Sequence, residues 1–435
     1  MKKPIFLLCL LSFILPVTSQ VTLNNPESQY LQYDKAPADV SVYIINGIKP
    51  TSALQYWGSA GESSYVWYKY KGGVKTNYAS NTNDGSNYSE IQLDYENAAG
   101  YILEVDGAEK AVVWIIDYQN FLPDFSSAAL EPVLENSSCD GIILKLNPSS
   151  TVPALSYQKP QSAAPYPIDR TFTLTYETRE WNDSWSDKEE KKQVVLPKET
   201  LIRLSAPLKD TKFTLSGDEF AERLEIDPLP TVQLETSPYV GIESRMKAFL
   251  IVRDATNEVE RPKEDAPNPP INGSAPLQIT IEGNSSDPNN TMYTWQIYKG
   301  KEVWITRTEE KLFNVFSEAG SYKVKLHVEN GTCAYTDSID VNVSESLLEV
   351  PNVFTPNGDG VNDEFKVVFR SLESFHCWVY NNWGKLIYEW TDPTKGWDGR
   401  INGKNAAMGP YFYVIKAKGT DGVKYEKKGD INLIR

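Results

Sequence analysis

Histidine is nearly missing from this chain: it occurs twice in 435 residues, as His327 and His376. A His-rich zinc site is therefore impossible, and no Ser-His-Asp or Cys-His arrangement can be built convincingly. His327 continues the Lys323 and Lys325 face of an alternating strand and is expected to be exposed, while His376 adjoins Cys377. Glycine-rich loops opening a helix are lacking too, which removes any nucleotide-binding signal. Positive charge is in deficit, with 43 Lys and Arg against 58 Asp and Glu for a net charge of −15. Nucleic acid needs a basic footprint and is not an expected partner. An acidic, solvated surface that keeps the chain in solution fits this balance. The carboxylates are abundant but scattered, and they lend a glycosidase no support.

Cysteine is sparse: Cys9, Cys139, Cys333 and Cys377. Cys9 lies in mid-run between Ile5 and Leu15, not at the end of a lipobox, so a lipoprotein is rejected. Lys2 and Lys3 precede that apolar run, and Val17 and Ser19 are the small residues of a cleavage site. Residues 1–19 thus read as a signal peptide, with a mature N-terminus at Gln20. No later apolar run approaches the ~20 residues of a transmembrane helix, so the mature chain is expected to be secreted and soluble. Its three remaining cysteines are an odd number, which excludes a disulfide framework. A Cys139–Cys333 bridge stays open beside the expectation that each is a small buried hydrophobe. Cys377, in an alternating apolar strand beside Trp378, is expected to be buried.

The coarse pattern is all-β throughout. Residues 20–130 hold strands at Val40–Ile45, Tyr65–Tyr70, Gly100–Val105 and Ala111–Tyr118, the last of which reads as buried on both faces. A polar loop is expected at 79–87. The pattern is compatible with an immunoglobulin-like sandwich lacking its disulfide. Within it Trp67 reads as core, with Tyr68 and Tyr70 half-exposed; a carbohydrate platform at 65–70 is the competing view. Residues 131–228 form a second β-sandwich with strands at Ile142–Leu146, Phe172–Tyr176, Leu201–Leu204 and Lys212–Leu215. Its polar hairpin carries Trp181 and Trp185, which either grip a partner or glycan or fold back on their own sheet. Residues 229–347 open with Thr231–Leu234 and include a Pro-rich loop, Arg261 to Pro276. Ala275–Thr280, Asn284–Pro288, Tyr293-Thr294-Trp295 and Ala319–Leu326 resemble a PKD domain, itself an immunoglobulin-like sandwich. Trp295 and Ile297 should share its inner face, although Trp295-Gln296-Ile297-Tyr298-Lys299-Gly300 stands where the family commonly has Trp-x-Phe-Gly-Asp-Gly.

Residues 348–435 carry the most specific signal. They contain PNVFTPNGDGVND from Pro351, YNNWGKLIYE from Tyr380, GWDG from Gly396, GPYFYVI from Gly409 and KGDINLIR from Lys428. Aromatic and β-branched strands at this spacing read as a small β-sandwich. The five motifs together closely resemble the type B sorting domain of the type IX secretion system, also called the gliding-motility-associated C-terminal domain. Its signature positions are Asn357, Asp359, Asn362, Asp363, Trp383, Gly384, Trp397, Asp398, Gly399, Gly429 and Arg435. Asn382 departs from the pattern, since the family usually has Arg before Trp-Gly. The resemblance implies a Bacteroidota-type bacterium, passage through the type IX translocon, and a cell-surface or extracellular destination. It also implies an outer-membrane β-barrel partner.

Two features of this region remain open on sequence alone. Asn357, Asp359, Asn362 and Asp363 have calcium-loop spacing without the full EF-hand pattern, or they cap backbone amides in a turn. The strand Lys428–Arg435 is either a sheet edge open to β-augmentation or a mid-sheet strand needed for folding. Ile431 and Leu433 should share one face of it, with Asp430, Asn432 and Ile434 on the other. The functional expectation is a non-enzymatic surface protein whose sandwiches bind a glycan or protein, with no cofactor other than the calcium reading. An accessory or sensor component of the secretion or gliding machinery is the alternative. A hydrolase with its site in residues 20–228 comes third.

Overall fold

The computed structural model describes residues 21–82 and 84–435, so the signal-peptide reading of 1–19 and the cleavage at Gln20 lie outside the described residues. The described chain is almost entirely β and divides into two compact units. Among these residues no helix is long and apolar enough to cross a membrane.

The first unit holds residues to 177, 189–205 and 211–238. Its centre is a six-stranded sheet ordered Tyr30–Gln32, Ser41–Ile45, Ala108–Asp117, Ala98–Val105, Ser64–Lys71, Val74–Thr82. One face packs Tyr65, Trp67, Leu103 and Ile115 against Leu54 and Tyr56 of a three-stranded sheet. The opposite face packs Val42, Tyr70, Ile102, Trp114 and Ile116 against Leu155, Tyr157, Ile168, Phe220 and Leu224. A sheet covered on both sides needs strands without a polar face, which explains the unbroken apolar run at Val112–Ile116.

That second cover corrects one expectation, and the hairpin at the sheet edge another. Tyr70 is buried, not half-exposed: its ring lies 5.6 Å from Trp114 and its hydroxyl donates to the Gln158 carbonyl at 2.9 Å. Tyr68 stays half-exposed, with Lys75 Nζ 3.8 Å above its ring. The loop expected at 79–87 begins as strand, because Val74–Thr82 continues the hairpin across Gly72-Gly73 and pairs with Ser64–Lys71.

The 131–228 region contributes a three-stranded sheet, Ala129–Pro132, Gly141–Asn147 and Ile202–Ser205. A four-stranded sheet is built on Arg170–Asn182, Ser184–Leu196 and Phe213–Asp218. Its fourth strand is Thr231–Leu234, which pairs with Phe213–Ser216 and so belongs here instead of opening the next module. Arg170 and Asp218 are fully buried at the heart of the unit. Arg170 Nε donates to Asp218 at 2.5 Å, and its other nitrogens donate to Phe121 O, Pro153 O and Tyr118 Oη. Tyr118 donates in turn to Asp218, which also caps the Ala221 amide at 2.9 Å. Burial beside the Asp218 carboxylate pushes the Tyr118 phenol well above its usual range, so it stays a donor.

The second unit holds 178–188, 206–210 and 239–435. Its first sandwich faces Ser244–Leu250, Leu277–Ser285 and Lys311–Phe316 against a five-stranded sheet that contains Met292–Lys299 and Gly320–Glu329. Trp295 and Ile297 are both fully buried on the inner face, as the alternation predicts. The expected Pro-rich loop contains a strand of its own, Ile271–Ser274, parallel to Val341–Ser344.

The final module is a five-stranded sheet ordered Val353–Phe354, Lys424–Leu433, Gly409–Gly419, Leu372–Tyr380, Leu386–Trp390. The run at Phe365–Phe369 is strand only from Val368, where it pairs with Leu347–Glu349. This module is fastened to the sandwich before it. Asn257 Nδ2 donates to Val367 O and Pro393 O, both at 2.8 Å. Buried Ser371 accepts from the Ala275 amide and donates to Ser344 O.

Cys139 and Cys333 each take part in a disulfide, which corrects the reading of each as a free buried hydrophobe. Cys377 is free and buried, and burial raises its thiol pKa, leaving it unreactive.

Removing one partner of a buried ion pair strands the other charge, at a cost of about 3–5 kcal/mol. Arg170→Met should therefore lower stability by about that much in urea titrations, whereas Arg170→Met with Asp218→Leu should recover a substantial part. A loss below about 1 kcal/mol for the single variant would show that the cluster contributes little.

Candidate functional site

The glycine-rich signature turn is a closed set of local hydrogen bonds. Asp363 accepts from the Gly358 and Gly360 amides, each at 2.7 Å, one on each carboxylate oxygen. Asp359 accepts from Val361 N at 2.8 Å and from Asn357 Nδ2 at 2.8 Å, while Asn357 Oδ1 accepts from Asp359 N. Those bonds, the Asn357 amide first, hold the Asp359 carboxyl below its usual pKa. Asn362 takes φ 52° and its carbonyl accepts from Thr355 N. The geometry is that of side chains capping amides. Among the described residues no group of three or more His, Cys, Asp or Glu could hold a metal ion.

The GWDG and terminal motifs meet around one side chain. Trp397 is fully buried, 5.4 Å from Phe354 and 4.9 Å from Tyr411, and its indole N–H donates to Arg400 O at 2.9 Å. Asp398 accepts from Arg400 N, shaping the following turn. Arg435 donates to Ala406 O at 2.6 Å and Gly399 O at 2.9 Å, tying the last strand to that turn. Gly399 has φ +72°, and a Cβ there would stand 3.0 Å from both Leu433 and Pro356. At Gly429 a Cβ would come within 2.7 Å of the Tyr413 hydroxyl, so the phenol lies over bare backbone.

Trp383 behaves differently. It sits in the turn between Leu372–Tyr380 and Leu386–Trp390 and is 91% exposed. Asn381 Oδ1 accepts from both Trp383 N and Lys385 N at 3.0 Å, and Gly384 supplies φ +73°, so the turn is rigid while the indole is in solvent. Asn382 beside it is exposed as well. The outer sheet face next to this turn carries Leu386 and Phe412, both cross-strand neighbours of Tyr380, and Trp378 opposite Val414. Phe412 is 48% and Leu386 42% exposed. The sequence reading missed this aromatic strip, although the alternation of Phe375, Cys377 and Val379 inward already places Trp378 and Tyr380 outward.

The terminal strand is neither of the two simple alternatives. It stands second in the sheet, but Val353–Phe354 covers only Asn432 and Leu433. The Asn432 amide donates to Asn352 O at 3.0 Å. The uncovered part, from Lys424 to Ile431, is lined by exposed Lys424, Lys427 and Lys428, a pattern that discourages unplanned strand addition. Ile431 and Leu433 are buried together and Ile434 is exposed, as expected.

The two histidines take up surface contacts. His327 Nδ1 pairs with Thr336 Oγ1 at 2.9 Å and is partly exposed. His376 stacks on Trp378 at 3.7 Å and reaches Glu389 at 3.1 Å.

Comparison with known families defines two of these modules. Residues 348–433 match the CHU_C type IX secretion signal domain, and residues 132–232 match a fibronectin type III domain. The chain thus carries a type IX sorting signal behind immunoglobulin-like β-sandwiches, which implies export by a type IX secretion system to the cell surface or extracellular space. No curated protein matches the chain. Among solved structures, it is similar to a tetra-tandem repeat from the extending region of a large adhesion protein, at 9% identity and a TM-score of 0.24. That match covers 91% of this chain and 100% of the other. It is also similar to three N-terminal domains of the bacteriophage RB49 outer capsid protein Hoc, at 12% identity and TM-score 0.20 over 70% and 98% of the two chains. Dimeric latent PorU from Porphyromonas gingivalis gives 10% identity and TM-score 0.15 over 76% and 36%.

The partition of the signature into buried and solvent-facing members has a direct consequence for stability. Gly399→Ala combines backbone strain with a steric clash and should destabilise the chain by about 1–3 kcal/mol. Trp383→Ala should stay within about 0.5 kcal/mol of the parent. Urea denaturation of the two variants checks both, and a large loss on removing Trp383 would show that its indole is structural.

Proposed function

We propose that this is a non-enzymatic cell-surface protein whose upstream sandwiches bind a ligand and whose final module is the address read by the export machinery. The side chain that supports this most directly is Trp383. Most other signature residues are committed to closing the fold or capping the turns, whereas this indole stands on a rigid turn in solvent. An exposed Trp beside an aromatic strip is the composition of a binding hot spot. The partner is an outer-membrane β-barrel of the secretion pathway, which engages the 381–385 turn and the Trp378, Tyr380 and Phe412 face. The reading as a non-enzyme is supported by the two domains recognised, a sorting signal and a fibronectin type III domain, and by the surface contacts that engage His327 with Thr336 and His376 with Trp378 and Glu389.

The test compares export with folding. Trp383→Ala and Gly399→Ala are expressed in the native host, and surface exposure is read by adding protease to intact cells. Trp383→Ala should remain folded yet lose at least about tenfold of its surface fraction, the effect of deleting one hot spot. Normal surface display of the folded Trp383→Ala protein would contradict the proposal.

A further inference from the structure

The second unit contains a cleft lined by no residue of the sorting module. It has a volume of about 540 Å³ and lies between the hairpin tip around Asp183 and the loop following Asn284. That size falls inside the range of small-molecule sites, about 300–1,000 Å³. Both tryptophans of the polar hairpin line it, with ring centres 5.4 Å apart and planes at 65°. Tyr293 adds a third aromatic wall.

The hairpin is anchored so that these rings are held in place. Trp185 Nε1 donates to Asn284 O at 2.9 Å, and Arg179 donates to Ser286 O. Asp187, bound by Lys209 at 2.8 Å, also pairs with Arg179. Trp181 and Trp185 nevertheless remain half-buried, with ring surface left towards the cleft. Trp185 is anchored by one edge to Asn284, in a strand of a different sheet from its own, and the pair still presents aromatic surface to the cleft.

We infer that this cleft binds a neutral oligosaccharide, with Trp181 and Trp185 stacking on the apolar C–H faces of sugar rings. Its rim supplies acceptors for hydroxyl donors in Asp183 and Glu310, together with the amide of Asn289. Anionic glycans are disfavoured by these carboxylates and by the net charge of −15. A caged ammonium group is a poorer fit, because the guanidinium of Arg245 already lies 5.9 Å from the Trp185 ring centre. The cleft is also larger than such a group needs. This inference rests on the upstream sandwiches being ligand-binding modules, but not on how the sorting module is read.

The purified chain is titrated by calorimetry, with tryptophan fluorescence in parallel. The probes are the tetrasaccharides of β-linked glucose, xylose, mannose and N-acetylglucosamine, with tetragalacturonate as the acidic comparison. At least one neutral tetrasaccharide should bind and perturb the indole emission. Trp181→Ala should weaken it at least about tenfold at unchanged melting temperature, the loss expected for one aromatic contact. If Trp181→Ala misfolds, Trp181→Phe should retain the fold and bind more weakly than the parent. No binding of any neutral probe at millimolar concentration, binding of the acidic probe alone, or full affinity in a folded Trp181 variant would each overturn the inference. Surface display of Trp181→Ala should be normal, so failure here is distinguishable from failure of the export reading.

Discussion

Burial of Trp397 is the constraint on which the sorting module depends. Its indole is fully enclosed, its backbone pairs with Phe365, and its side-chain N–H is satisfied by Arg400 O. Motifs separated by dozens of residues then have to converge on it. Phe354 comes from the opening motif, Tyr411 from the GPYFYVI strand, and Arg435 clamps the turn that Gly399 makes. A fully buried Trp is one of the largest single contributions a small core can have, at about 3–5 kcal/mol on truncation to Ala. The recognisable residues of such a module are therefore mainly those that allow it to close. A reader of the surface needs something else, and Trp383 is the large aromatic side chain of the signature that stays in solvent.

Closure by a buried polar group recurs in the first unit. Arg170, Asp218 and Tyr118 hydrogen-bond one another in a fully buried site, and the carbonyls of Phe121 and Pro153 accept from one guanidinium nitrogen. Tyr118 follows the central strand of the six-stranded sheet, while Arg170 and Asp218 belong to the fibronectin-like module. The two modules share one apolar core through Trp114, Tyr157 and Phe220, so they fold against each other and not as beads on a string. In the second unit, Asn257 and Ser371 fasten the sorting module to the sandwich before it. The module is thus a built part of that unit.

Much of this was legible in the sequence because strand alternation is a local signal. Trp67, Trp295, Ile297, Cys377, Ile431 and Leu433 all lie on the faces their spacing predicts. Periodicity distinguishes two faces of a strand, but it does not tell what covers the second one. Tyr70 is buried because residues 155–168 and the helix at Glu219–Arg223 cover its sheet. The strands at Val74–Thr82 and Thr231–Leu234 were missed or misassigned for a related reason. The first is polar on both faces, and the second lies beyond the Pro228 and Pro230 break that reads as a boundary. The disulfide bonding of Cys139 and Cys333 carries no local signature, since an odd cysteine count only limits the options. In the sorting module the signature positions were legible by resemblance, but their division into closing residues and an exposed indole was not. That division needs the burial of Trp397 and the exposure of Trp383 side by side.

On the proposed function, the export machinery reads the exposed turn and not the open strand edge. Site-specific photo-crosslinking in living cells tests this most directly, with a photoreactive phenylalanine placed at Trp383 in one strain and at Lys427 in another. An outer-membrane β-barrel should be captured from position 383 and little from 427. Capture of that barrel from 427 with none from 383 would contradict it.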